Sequence, residues 1–160
     1  MTPALPGLVA RLRECRGVLV DSNILLDIAT NDPKWSDWSG NALAECAEQS
    51  TLIINPVIYA EVSIGYATIE ALNAALPANL YERAPLPWEA GFLTGKCFLA
   101  YRRRGGTRNT PLPDFYIGAH AALEGLALLT RDAMRYRTYF PKVEVLSPPD
   151  SEARLEAVPR

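Results

Sequence analysis

The sequence is poor in the residues that build several common kinds of site. Its three cysteines, Cys15, Cys46 and Cys97, lie far apart and never form a Cys-x-x-Cys pair. That argues against a disulfide framework and a cysteine-based zinc centre, and it suits a reducing compartment. The one histidine, His120, falls six residues after Asp114, about 240° round a helix. It therefore points elsewhere and is assigned to packing or a capping bond, which leaves a Ser-His-Asp mechanism without support. The glycines never gather into a Walker or dinucleotide loop. No run of about 20 apolar residues could span a bilayer, and the start Met-Thr-Pro-Ala-Leu-Pro-Gly-Leu lacks the basic and then apolar layout of a signal peptide. A soluble, cytoplasmic protein with no membrane association is expected.

What is present suits one domain: 160 residues, of which 49% are hydrophobic. The net charge of -2 is unevenly distributed. Residues 1–101 carry 6 basic and 11 acidic side chains, residues 102–137 carry 7 arginines against Asp114, Glu124 and Asp132, and the remainder carries 3 basic against 4 acidic. A basic segment on an acidic protein is a footprint for phosphate if a site lies nearby, and a solvated face otherwise.

The chain is organised around Gly17-Val-Leu-Val-Asp-Ser-Asn23, an apolar strand that turns polar at Asp21 before a helical pattern resumes at Ile24, Leu25 and Ile28. Alone, Asp21 reads as a helix cap. Before it, residues 7–15 predict a short amphipathic helix packing on the outside. After it, residues 35–50 predict a helix with Glu45 and Glu48 facing away from the core. Thr51–Asn55 is a second strand, and Asn55-Pro56 is a helix start whose helix carries Glu61. Short elements follow over 68–76 and 80–86, then a helix over 88–101 and a mobile basic loop, Arg102 to Pro113. Pro113 opens a helix with Asp114 in its first turn and Gly125 as its stop. The last elements are a strand over 126–130, Arg131-Asp132, a short helix over 134–139 and a strand over 143–146. Alternation of this kind implies a mostly parallel sheet of about five strands between helical layers, an α/β/α sandwich.

That topology unites four separate acids. Asp21 and Asp132 follow strand ends, Glu61 lies in the second turn of its helix, and Asp114 lies in the first turn of another. All four can meet at the carboxyl edge of the sheet, where such folds bind ligands. Clustered carboxylates repel, and a hard divalent cation relieves the repulsion. Mg²⁺ takes oxygen ligands and leaves positions for phosphate and water, so the arrangement suits phosphodiester hydrolysis. Asn23 and Thr130 would orient carboxylates or water. Arg102, Arg103, Arg104, Arg108, Arg131 and Arg135 flank the acids in sequence as candidate RNA contacts. Tyr136 and Tyr139 have two readings, stacking on bases or filling the core and rim.

Val20-Asp-Ser-Asn23, Asn55-Pro-Val-Ile-Tyr-Ala-Glu61, Asp114-Phe-Tyr-Ile-Gly-Ala-His-Ala121 and Leu129-Thr-Arg-Asp132 resemble, in order and spacing, the four acidic motifs of PIN-domain ribonucleases, most closely the VapC toxins. The resemblance covers residues 17–147. It leaves residues 1–16 as an N-terminal helical extension and 148–160 as a charged tail. It implies a PIN-like fold, Mg²⁺- or Mn²⁺-dependent endoribonuclease activity, a homodimer, and a VapB-type antitoxin whose C-terminal segment commonly enters the acidic groove. By the same resemblance Asp21, Glu61, Asp114 and Asp132 are catalytic and metal-site residues, with Asn23 and Thr130 in support. Ser22 stands where threonine is common. Two other readings remain open at this stage: a PIN-like RNA- or antitoxin-binding module with an idle metal site, and an aspartyl-nucleophile phosphatase. The latter usually wants a second acid where this chain has Asn23.

Overall fold

The computed structural model describes residues 2–149; most of the tail expected over 148–160 lies outside them. In chain order the elements are α1 (Leu8–Arg11), β1 (Val18–Val20), α2 (Ser22–Ala29), α3 (Ser36–Gln49), β2 (Leu52–Ile54), α4 (Pro56–Ser63), α5 (Ile69–Ala75), β3 (Tyr81–Arg83), α6 (Trp88–Arg103), α7 (Pro113–Glu124), β4 (Ala127–Leu129), α8 (Met134–Tyr139) and β5 (Val145–Leu146). Every position of β1, β2 and β4 is buried. Successive strand residues point to opposite faces, so both faces of the sheet are covered, as a parallel sheet between helical layers requires.

The sheet runs β3-β2-β1-β4-β5, and every pairing is parallel. From the central β1 the chain builds outward to β2 and β3, then returns to the other side of β1 for β4 and β5. The order reverses between β1 and β4, and the crevice beyond their carboxyl ends is where this class of sheet binds ligands. Val20 lies opposite Leu129, and the Asp21 amide donates to the Leu129 carbonyl at 2.9 Å. The next residues of the two strands, Asp21 and Thr130, are thus fixed side by side.

The helices begin and end for local reasons. Asn55 caps α4, its side chain accepting from the Ile58 amide at 2.9 Å, with Pro56 at the first helical position. Gly125 ends α7 at φ 65°, a left-handed conformation that glycine adopts without strain. Gly118 lets α7 approach the Phe140 ring so closely that a Cβ there would collide with it.

Three expectations change. The N-terminal helix is only four residues long, because Gly7 enters it at φ 70° and the chain turns again at Leu12. Nor is the segment merely external, since Leu5, Leu8 and Leu12 are buried in the common core. Glu45, expected to face away, accepts the amides of Ala4 at 2.7 Å and Leu5 at 2.9 Å and so anchors that segment. The basic loop is folded back on α6, which runs two residues beyond the expected Tyr101. The Tyr101 hydroxyl accepts the amides of Thr107 and Arg108 at 3.2 and 3.4 Å, and Arg102 donates to the carbonyls of Gly106 and Arg108 at 3.1 and 3.0 Å.

Candidate active site

Asp21 is both the cap that its position suggested and the centre of a polar network. Its Oδ1 accepts the Ser22 amide at 2.8 Å, the capping bond of α2. Its Oδ2 accepts two hydroxyls, Thr130 at 2.8 Å and Tyr136 at 3.0 Å. Thr130 Oγ1 in turn accepts from Asn23 Nδ2 and from the Asp132 amide, each at 3.1 Å, so its own proton is committed to Asp21. Asn23 Oδ1 accepts the Arg131 amide at 3.2 Å. Asn23 and Thr130 thus form a brace across the ends of β1 and β4, and the β4–α8 turn is stitched to the first turn of α2.

The other acids surround this centre at different depths. Asp21 is buried, Glu61 and Asp114 are half-buried, and Asp132 is exposed at the rim. Glu61 Oε1 accepts from the Ser22 hydroxyl at 3.0 Å, and Asp114 Oδ2 accepts from Arg135 Nη1 at 3.0 Å. Their electrostatics show a common neighbourhood. Burial, then the charge of Asp114 and more weakly that of Glu61, push Asp21 from 3.8 up to about 7 against the lowering effect of its hydroxyl donors. Asp114 is raised by burial and by Asp132, with Arg135 opposing. Glu61 is raised by burial and by Asp114, with the Ser22 hydroxyl opposing. Burial and the same acids hold the Tyr136 phenol well above its usual range, so it remains a donor.

A divalent cation suits this donor set in kind. The oxygens are hard, their charges are mutually unfavourable, and Asp21 Oδ1 keeps a lone pair beyond its capping bond. Among the described residues no three His, Cys, Asp or Glu side chains gather at ligating distance.

The arginines divide. Arg131 Nε donates to Asp27 at 2.6 Å and its guanidinium lies 5.1 Å from the Trp35 ring centroid; Asp27 also accepts from the Ser39 hydroxyl at 2.7 Å. Arg104 stacks on Tyr139 at 5.4 Å. Arg102, Arg103 and Arg108 are exposed. Arg135 lies against a site carboxylate, Asp114.

Sequence reasoning missed the parts played by Tyr136, Ser22 and Asp27. Of the two readings of Tyr136, burial selects the core, but with its hydroxyl on Asp21. His120 is buried, with Nδ1 at 2.9 Å from Asn55 Nδ2; it packs in the core and caps no helix itself, but holds the residue that caps α4.

Residues 18–141 match the PIN domain family. No curated protein matches the chain. Among solved structures, VapBC2 from Rickettsia felis bound to a DNA fragment from their promoter contains a chain with TM-score 0.63 and 18% identity, the match covering 82% of this chain and 98% of that one. A toxin-antitoxin complex from Klebsiella pneumoniae gives 0.61, 20%, 83% and 98%. FitAcB from Neisseria gonorrhoeae gives 0.59, 17%, 82% and 97%. At these identities the likeness is one of fold.

Proposed function

The chain belongs to the PIN-domain family, and from that premise we propose that it is a Mg²⁺- or Mn²⁺-dependent endoribonuclease, the toxin of a VapBC-type toxin–antitoxin pair. The observation that supports this reading most is the hydrogen-bonded network at the point where the sheet order reverses: Thr130 and Tyr136 donate to Asp21, and Ser22 links the Asp21 cap to Glu61, with the charge of Asp114 near enough to raise both acids. In this reading Asp21, Glu61, Asp114 and Asp132 would hold the metal and its waters. A bound Mg²⁺ or Mn²⁺ supplies polarisation of the phosphate and a water of lowered pKa. The chain's own work is orientation. Thr130 and Tyr136 fix the Asp21 carboxylate through Oδ2, Ser22 aims Glu61, and Asn23 holds Thr130 in its donor role. Arg102, Arg103 and Arg108 lie exposed on the segment that leads into α7, where they would be available to a polyanion.

The toxin assignment draws on the solved neighbours, which are toxin–antitoxin complexes. A cleft of about 170 Å³ where α2, α4 and α5 meet, lined by Leu25, Ile28, Val62, Tyr66 and Leu76 among others, would offer a VapB-type antitoxin a seat. A homodimer in the cytoplasm completes the reading; among the described residues no helix is long and apolar enough to cross a membrane. Induced synthesis in a bacterial host tests it. Wild type should arrest growth and shorten specific RNAs, and Asp114→Asn should do neither. Equal arrest by both proteins would refute the assignment.

A further inference from the structure

We propose that Arg135 is a built-in counter-cation: it occupies Asp114 when no divalent ion is bound and transfers its guanidinium to an RNA phosphate when the ion takes Asp114. This rests on the ribonuclease reading above and deepens it.

Three observations support the exchange. First, the contact is of a kind that can be given up. Arg135 Nη1 meets Asp114 Oδ2 at 3.0 Å, with the two side chains 38% and 28% exposed. Ion pairs this open to water are weak, and a long side chain can leave one readily. Second, Asp21 is buried and already ringed by donors, with one lone pair of Oδ1 left over. Both acceptor sites of its Oδ2 are filled by Thr130 and Tyr136, and its Oδ1 holds the Ser22 amide. Asp114 is therefore the inner acid that a mobile guanidinium can neutralise. Third, Arg131, the nearest basic residue in sequence among the flanking set, is committed to Asp27 and Trp35. The short turn from β4 into α8 thus carries one arginine that builds the scaffold and one that reaches the acids.

The physical logic is competition for one carboxylate. A guanidinium and a divalent cation both favour ionised Asp114, and they exclude one another from its oxygens. A displaced guanidinium beside a metal-bound phosphate finds a second oxyanion within its own reach, and its fork geometry suits phosphate. The same residue therefore weakens metal binding and strengthens RNA binding.

The test is a pair of titrations that must move in opposite directions. Calorimetric titration of metal-free protein with Mn²⁺ should show Arg135→Gln binding about 2- to 5-fold tighter than wild type, the range of an exposed ion pair. Binding of a labelled mixed-sequence single-stranded RNA is then followed against salt concentration in Ca²⁺. The slope should be shallower for Arg135→Gln by about 0.7, one single-strand phosphate contact, while Arg13→Gln on the far side leaves it unchanged. Arg135→Lys, which keeps the charge, should restore most of the slope. Unchanged Mn²⁺ affinity, or a slope equal to wild type, would overturn the exchange and leave Arg135 a surface ion pair. Asp114→Asn separates this from the underlying reading. If that variant binds Mn²⁺ as wild type does, Asp114 is no ligand and both ideas fall together.

Discussion

Tyr136 donates its hydroxyl to Asp21 Oδ2 at 3.0 Å, a bond between residues 115 apart in the chain. It ties the last helix to the end of the first strand, and with Thr130 it leaves Asp21 a single orientation. Tyr136→Phe keeps the buried ring and removes only the donor. Mn²⁺ affinity and RNA cleavage are expected to fall by about 10- to 100-fold, as for other groups that orient metal ligands, with the fold retained by circular dichroism. Full activity in this variant would show that the hydroxyl orients nothing.

Asp21 also sets a pH dependence. Its pKa is about 7 in the folded chain against 3.8 ordinarily, so between those values the folded state holds a proton that the unfolded state has released. The stability this contributes is present in full below the unfolded pKa and is lost as pH rises through the folded one, a change of roughly a few kcal/mol. Raised Glu61 and Asp114 act in the same direction. Mn²⁺ stabilises the ionised acids, so the gap between melting temperatures in Mn²⁺ and in EDTA should widen from about pH 5 to about pH 8. A gap that stays constant would contradict this account.

His120 acts with the opposite sign. Burial lowers its pKa below 6.5, so the unfolded chain takes up a proton first as pH falls, and the stability it contributes is lost through that range. Its Nδ1 accepts from Asn55 Nδ2, the amide whose oxygen caps the helix bearing Glu61. His120→Leu leaves that donor unmet, at a cost of about 1–3 kcal/mol near neutral pH. Urea denaturation should show the difference from wild type shrinking toward pH 5. An equal difference at both ends would remove His120 from the pH dependence.

Much of this was legible in the sequence because strand ends and helix starts carry local signals. Val18–Val20 followed by Asp21, and Asn55-Pro56, locate the carboxyl edge without any tertiary information, and the alternation of elements predicts the parallel sheet. The resemblance in four short motifs then named the acids. What was not legible depended on contacts distant in sequence. Periodicity sent Glu45 to solvent because its partners, the Ala4 and Leu5 amides, lie about 40 residues away. Glycines and prolines marked 102–113 as a mobile loop, but the Tyr101 hydroxyl and the Arg102 guanidinium fold part of it back. Charge alone could not tell Arg131 from Arg135, since the difference lies in Asp27, an acid four residues beyond Asn23 on a helix read as apolar.

That difference is itself testable. Arg131→Gln removes the cationic partner of Asp27, whose side chain is only 4% exposed, leaving it the Ser39 hydroxyl, and should cost about 3 kcal/mol in denaturant melts. Arg135→Gln should change stability by less than about 1 kcal/mol. Equal effects would mean that the two arginines are not divided between scaffold and site.

The most direct test is cleavage of total cellular RNA by the purified, antitoxin-free protein in Mg²⁺ or Mn²⁺, in EDTA, and as Asp114→Asn. The account predicts discrete fragments with metal, and none with chelator or with the variant. Folded wild-type protein that cuts nothing in either metal, or cuts equally well in EDTA, would contradict it.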